Sequence, residues 1–355
     1  MMRKNVLIVA LVLLVALVSC AEHEHAWNAG VVVKKATCVA EGEKVYTCEG
    51  CGAEMSEVLP IDYDNGHNFV DGVCTECKQE KSLITTAVAR VGSAYYKTLD
   101  ELFEKEKGET IDVILIKDSE ISLNANTKPI GNDETKSINI HGNGNTLSFN
   151  ALNNDWNNVV LKNKSAVLSI SNATIKKIGY GAEGGPWNNH AICFDCNVKL
   201  NEVVANTAIV VACDSEFTDV RISDKNATQD AYMLWIVAAG QKVSLDGCTI
   251  VGNSSVEGKF NRAIAIKDQY ATDTQFGKTI ASVTLSVKDT VISSDKKAAI
   301  LVTSTEGANI ELENVNIEAT PDKVNAVWID NGSNYGAKIN DKVIVKGGSA
   351  IIEGN

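Results

Sequence analysis

A short pattern recurs through the second half of the chain and limits the folds open to it. An apolar residue is followed, after one intervening residue, by Asn, Asp or Gly, and after two more by another apolar residue. It runs as Ile170-Ser-Asn172-Ala-Thr-Ile175, and returns at Phe217–Ile222, Leu245–Ile250, Val287–Ile292 and Leu312–Ile317. Ile140-His-Gly142 and Leu200-Asn-Glu202 read as degenerate copies. A second apolar run alternates with the first: Ala191–Phe194, Ala208–Val211, Met233–Ile236, Ala263–Ile266, Ala299–Val302 and Ala326–Ile329. Equivalent positions of this run lie 17 to 36 residues apart. Fixed strands with one corner free to grow are the mark of a solenoid. Apolar residues alternating with Asn, Ser and Asp suit short parallel strands that bury one face. Asn and Gly suit the turn, because both tolerate the left-handed conformation. A β-sandwich would need two-residue hairpin signals at the junctions, and these are scarce. The fixed L-x-x-L-x-L frame of a leucine-rich repeat is absent. The pattern therefore predicts an all-β chain, a right-handed parallel β-helix over residues 81–355.

The opening of this region carries its own helix signal. Thr98-Leu-Asp-Glu101 is a capping box, and Leu99, Leu102 and Phe103 give one buried helical stripe. Gly108 is expected to end the helix and a strand to follow over Ile111–Ile116. Such a helix would cap the first coil, whose strand edges and core would otherwise meet water. The segment AVARVGSAYYKTLDELFEKEKGETIDVILIKDSEISL resembles the N-terminal edge of gut-bacterial β-helix proteins. The stretches GPWNNHAICFDCNVKLNEV, DAYMLWIVAAGQKVSLDG and NAVWIDN resemble one family of such domains in gut-bacterial and phage-associated surface proteins. The resemblance implies the fold and no activity.

Residues 20–80 form a small cysteine-rich module. Of ten cysteines, Cys38, Cys48, Cys51, Cys74 and Cys77 fall within forty residues. Cys48-Glu-Gly-Cys51 and Cys74-Thr-Glu-Cys77 can each place two thiolates on one tight turn, and two such turns face to face make a tetrahedral zinc site of four cysteines. Gly50 and Gly52 fit a backbone that must turn sharply under the metal. A weak duplication surrounds the pairs: His25-Ala-Trp27 opens one unit, His67-Asn-Phe69 the other, and each ends in a C-x-x-C. The segment from His25 to Lys78 resembles zinc-ribbon-like repeats of gut-bacterial surface proteins. Disulfides are the rival, since an exported chain can meet an oxidising compartment. Cys38, His25 and His67 either complete a second site or serve structure alone. A module this small needs metal or disulfide for most of its stability. Four thiolates leave no position for a reactive water, so the zinc on Cys48, Cys51, Cys74 and Cys77 is expected to be structural.

Residues 1–19 read as a signal peptide. Arg3 and Lys4 precede an unbroken apolar run of 13 residues, Val6 to Val18. As a helix this run spans about 20 Å at roughly 1.5 Å per residue, short of the roughly 30 Å hydrocarbon core. Leu17-Val18-Ser19-Cys20 resembles the lipobox of bacterial lipoproteins, which implies acylation of Cys20 by fatty chains such as palmitate. Two buried chains suffice for stable anchoring. The expected localisation is the cell envelope, exported and surface-exposed, with the membrane as a partner through the lipid.

Charge and chemistry narrow the function. Removal of residues 1–19 takes away two basic residues and no acid, lowering the formal charge from −12 to −14. Such a surface repels phosphate backbones and argues against nucleic acid. The chain has four arginines, Arg3, Arg90, Arg221 and Arg262, few for clamping anionic polysaccharides. Asp219 and Arg221 read as a surface ion pair. The Asp-Asp, G-H-G and R-x-K motifs of β-helix hydrolases are absent. The loop Gly184–His190 presents Trp187 and His190, which could stack on a sugar or pack on the protein. Trp235 and Trp328 read as core, and Cys193, Cys196, Cys213 and Cys248 as inward thiols. The expectation is a non-enzymatic lipoprotein for display, adhesion or binding of glycans or surface proteins, with no catalytic residues. The alternative is a polysaccharide lyase or hydrolase with a divergent site.

Overall fold

Alternation decides the strands of the longer unit. In Thr110–Leu115 exposed or half-exposed Thr110, Asp112 and Ile114 alternate with buried Ile111, Val113 and Leu115. In Val283–Lys288 the same period of two runs through buried Val283, Leu285 and Val287. Side chains that alternate in this way stand on opposite faces of a sheet, and one face is buried. The structure is a computed structural model. It describes residues 24–123, 129–152, 158–179, 191–224, 231–252, 261–268, 276–294, 298–319, 325–329 and 342–348. The chain divides into two units, residues 1–86 with 91–95, and residues 87–90 with 96–355.

The longer unit is all-β with parallel sheets. Each strand takes its hydrogen-bond partner from the equivalent position one repeat away. One line of partners runs Val113, Ile140, Ile170, Leu200, Phe217, Leu245, Val287, Leu312, Val345. A second runs Leu147, Ile175, Ala205, Ile222, Ile250, Ile292, Ile317. A third, in a separate seven-stranded sheet, runs Ile192, Ile209, Leu234, Ile264, Ile300, Val327. Every one of these register positions is apolar in sequence, and from Val113 to Leu312, Leu147 to Ile317 and Ile192 to Val327 the three lines stack as apolar columns. Phe149, Phe194 and Phe217 are fully buried, and Phe149 meets Phe194 edge to face at 5.8 Å. Trp235 lies in this core at 3% exposure.

The Asn/Asp/Gly position of the repeat is the corner between the first two lines. Asn172, Glu202, Asp219, Gly247, Asp289 and Asn314 all adopt φ between 46° and 65°. The corners also stack. A Cβ on Gly247 would stand 2.4 Å from Asp219 Oδ1, and its φ of 65° adds to the case for glycine there. Asn314 donates through Nδ2 to Asp289 Oδ1 at 3.0 Å. At the degenerate copy the left-handed residue is Asn143, not Gly142. Asp219 occupies a corner rather than a strand, and among the described residues it makes no ion pair with Arg221.

The helix forms over Leu99–Lys105, with Leu99, Leu102 and Phe103 buried. Thr98 Oγ1 accepts from the Glu101 amide at 3.1 Å. The helix ends at Lys105, with Glu106 already extended, so Gly108 is not its terminator. The following strand is Thr110–Leu115. The helix lies against strand Ser119–Leu123, where Asp100 Oδ1 accepts from the Ser122 amide at 3.3 Å.

The shorter unit has an antiparallel sheet of β1 (Val31–Lys34), β2 (Gly42–Thr47) and β3 (Glu54–Leu59). A two-stranded ribbon of β4 (Phe69–Val70) and β5 (Val73–Cys74) follows. Among the described residues no helix is long and apolar enough to cross a membrane.

Candidate metal centres and an outer polar groove

The two C-x-x-C segments fold as copies of one knuckle. Gly52 N donates to Cys48 O at 2.8 Å, and Lys78 N to Cys74 O at 3.0 Å. Cys48 N donates to Ala53 O at 2.8 Å, and Cys74 N to Gln79 O at 2.9 Å. Each knuckle also holds the His-x-aromatic tripeptide ahead of it. Trp27 bridges Cys48 in antiparallel fashion, as Phe69 pairs with Cys74. Glu49 N donates to Ala26 O and Thr75 N to Asn68 O. Gly52 and Lys78 supply the left-handed residue after each knuckle, with φ of 73° and 63°. Gly50 does not have a positive φ.

This local pairing decides which ligands meet. Cys74 and Cys77 come together with Cys38 and His67, and Cys48 and Cys51 with His25, with all ligand atoms within 4.8 Å in each group. The single four-cysteine centre expected on Cys48, Cys51, Cys74 and Cys77 is therefore not what the fold builds. Each knuckle is bonded to its own histidine segment, so its nearest ligand is that histidine and not the other knuckle. The signal was in the sequence: each C-x-x-C follows its own His-x-aromatic. The role of Cys38 had no such signal, because it lies 36 residues from Cys74.

In the four-ligand cluster Cys38 and Cys74 Sγ atoms stand 3.7 Å apart, and Cys77 Sγ is 3.6 Å from His67 Nδ1. In the three-ligand cluster Cys51 Sγ is 3.5 Å from His25 Nδ1. A tetrahedral ion with Zn–S of about 2.3 Å and Zn–N of about 2.0–2.1 Å sets S···S near 3.8 Å and S···N near 3.6 Å. A disulfide needs about 2.0 Å between sulfurs, and none of the nine described cysteines is in a disulfide. The donor set and its spacing thus fit a zinc-like ion.

The surroundings of His67 prepare it as a ligand. Its Nε2 faces the Tyr63 carbonyl at 3.0 Å and the Tyr95 hydroxyl at 3.2 Å. The carbonyl only accepts, and Tyr95 itself donates to it, so Nε2 carries the proton and Nδ1 keeps its lone pair toward the thiols. Metal-bound histidines usually have such an outer partner. Burial works against ionisation of Cys74, but the backbone amides of Cys77, Glu76 and Asn68 and the His67 ring outweigh it and lower the thiol to about 6. Burial, then hydrogen-bond sharing with Cys74 and Cys77, pushes Cys38 up to about 12.

In the longer unit the outward faces of the first line of strands form a groove, mostly apolar in surface and set with polar side chains. One hollow of about 510 Å³ is lined by Lys199, Glu216, Lys242, Ser244, Thr284 and Ser286, among others. A second, of about 340 Å³, is lined by Asn139, His141, Ser171, Asn201 and Thr218, and shares Lys199 and Glu216 with the first. These side chains pair across strands: Lys199 with Glu216 at 2.5 Å, His141 Nδ1 with Ser171 Oγ at 3.1 Å, and Asn139 with Asp112 at 2.7 Å. Among the described residues the lining acids are Asp214 and Glu216, and both are engaged. Glu216 holds Lys199, and Asp214 Oδ1 accepts from the Lys242 amide at 2.8 Å. Among the described residues no arginine lines either hollow. Arg221 is exposed on its own strand, and Arg262 lies in strand Asn261–Lys267.

Cys193, Cys196 and Cys248 are buried as expected, and burial pushes the Cys248 thiol up to about 11. Cys213 differs. It is half-buried, 3.4 Å from Lys278 Nζ and 3.7 Å from Asp195 Oδ1, and Lys278 pairs with Asp195 at 2.8 Å. Cys20, Trp187 and His190 lie outside the described residues, so the acylation site and the expected stacking loop have no geometry here. No known protein family, curated protein or solved structure matches the chain.

Proposed function

We propose that this chain is an exported lipoprotein, acylated at Cys20, that carries a zinc-held Cys/His module and displays a ligand-binding right-handed parallel β-helix. The basic and apolar leader with its Leu17–Cys20 box supports the anchor. Strand-to-strand pairing at constant repeat positions supports the helical winding. Sulfur and nitrogen spacings suited to a tetrahedral ion support zinc. The observation that carries the binding function is the outer groove. It spans several repeats and offers hydroxyl, amide and amine groups in register, so it suits an extended, hydroxyl-rich polymer such as a glycan. General acid–base chemistry would need titratable groups converging on one substrate atom, and the groove's two acids are tied to other partners.

Affinity electrophoresis of the full chain through gels containing neutral or acidic polysaccharides tests this reading. Retardation should occur in at least one gel, and the double change Lys199→Ala, Asn201→Ala should weaken it by about tenfold, as for loss of one or two charge-assisted hydrogen bonds. Release of new sugar chain ends, abolished by changing Arg221 or Arg262, would replace this reading by the lyase or hydrolase.

A further inference from the structure

We infer that Cys213 and Lys278 are a site of oxidative cross-linking, where hydrogen peroxide joins the thiol and the amine through a sulfur–nitrogen bond. The two groups are already in contact. Lys278 Nζ donates to Cys213 Sγ at 3.4 Å and pairs with Asp195 Oδ1 at 2.8 Å, and Cys213 Sγ donates to the same oxygen at 3.7 Å. Thiol, amine and carboxylate close a triangle, although Cys213 and Lys278 are 65 residues apart in sequence. The fold brings them there. Asp195 and Cys213 follow equivalent strands, Ile192–Phe194 and Ile209–Val211, which pair in parallel. Lys278 comes from the segment ahead of strand Val283–Lys288. That segment is held in place: Ala281 bridges Ala239, and Phe276 meets Trp235 edge to face at 6.4 Å.

Two features set this pair apart. Cys193, Cys196 and Cys248 are buried, whereas Cys213 is half-buried and within reach of a small oxidant. The Lys278 and Asp195 side chains are 32% and 13% exposed, whereas both partners of the Lys199–Glu216 pair are 53% exposed, so the amine beside Cys213 is the more firmly held. At rest the pair does not react. Burial lifts the Cys213 thiol above its ordinary value, against the pull of the Lys278 charge. Burial also opposes the charge on Lys278, but its bonds to Asp195 and Cys213 outweigh that and raise the amine. The resting groups are therefore thiol and ammonium. Peroxide changes this by the first step of thiol oxidation. The Cys213 sulfur attacks one peroxide oxygen, the O–O bond breaks, and the thiol proton leaves with the other oxygen as water, giving a sulfenic acid. Sulfenic acids condense with nitrogen nucleophiles. Lys278 passes its ammonium proton to Asp195, and the nitrogen lone pair attacks the sulfur. The S–O bond breaks, and the departing hydroxide takes a second N–H proton and leaves as water. One peroxide is reduced to two waters, and the sulfur is oxidised by two electrons. Cys196 is the competing thiol, but full burial holds it protonated, which slows disulfide formation.

Peptide mapping of the oxidised protein tests this. The full chain, purified in detergent, is treated with hydrogen peroxide, quenched with catalase, digested and read by mass spectrometry. The peptides carrying Cys213 and Lys278 should appear joined, lighter by two hydrogens than their sum, and dithiothreitol should part them. Lys278→Arg keeps a cation beside Asp195 but removes the nucleophilic amine. In that variant the joined species should vanish, and dimedone should trap Cys213 as the sulfenic acid. Cys213→Ser should abolish both products. A disulfide from Cys213 to Cys196, or Cys213 carried on to sulfinic acid with Lys278 unlinked, would overturn the inference. So would an unmodified Cys213 at peroxide levels that oxidise the half-buried Met55. The wild-type map decides the cross-link by itself, so a variant that fails to fold leaves the outcome readable.

Discussion

Lys78 stands where the first knuckle has Gly52. Both turn through the left-handed region, and only the glycine does so without a Cβ penalty. A side chain held there costs on the order of 1 kcal/mol. Lys78→Gly should therefore stabilise the module by about that amount, raising the denaturant midpoint of the tryptophan signal from Trp27. No change, or a loss, would mean that the bond from Lys78 to the Thr75 carbonyl outweighs the strain. Single residues were legible in the sequence where chemistry is local. The C-x-x-C pairs and the left-handed Asn and Asp corners follow from neighbours in the chain. Cys38 was not legible, because its place is set by a contact far along the sequence. The helix end was misread for a related reason: Gly108 is permissive of a stop, but the chain already turns extended at Glu106.

The helix Leu99–Lys105 shows how little a short element holds by itself. Its core face is three side chains, and its ends depend on Thr98 and on the pair of Lys105 with Glu101 at 2.6 Å. That bond from Lys105 holds the Glu101 carboxyl below the usual carboxylate range. A carboxyl depressed in the folded state contributes fully above its unfolded value and loses that contribution as pH falls through the folded one. The pair is largely exposed, so it is worth only about 0.3–0.5 kcal/mol. Lys105→Ala should thus cost about that much at neutral pH and nothing measurable near pH 2, read from denaturant midpoints at the two values. An equal cost at both would assign the effect to lost packing of the lysine stem. At this scale the strands were legible through their period of two, and the helix through its stripe and cap. Their bounds moved by a residue where hydrogen bonds, not hydropathy, end them.

The two units are held by different means. The longer one buries continuous columns of Ile, Leu, Val and Phe. The shorter has few buried side chains besides Cys38, Cys48 and Cys74. Chelation should accordingly raise amide hydrogen exchange across β2 and β3 while leaving strands Asn197–Ala205 and Val283–Lys288 protected. Equal protection of β2 and β3 with and without chelator would mean that the module stands without metal. The repeat made an all-β chain with parallel sheets readable from the sequence. The division of ligands was not readable from spacing, since nothing in spacing says which knuckle a distant cysteine joins. That division also sets an order in time. In a chain that emerges amino end first, His25, Cys48 and Cys51 are together as soon as Cys51 is out. Cys38 waits, reduced and unclaimed, until Cys77 has followed, and in that interval it is open to the wrong partner.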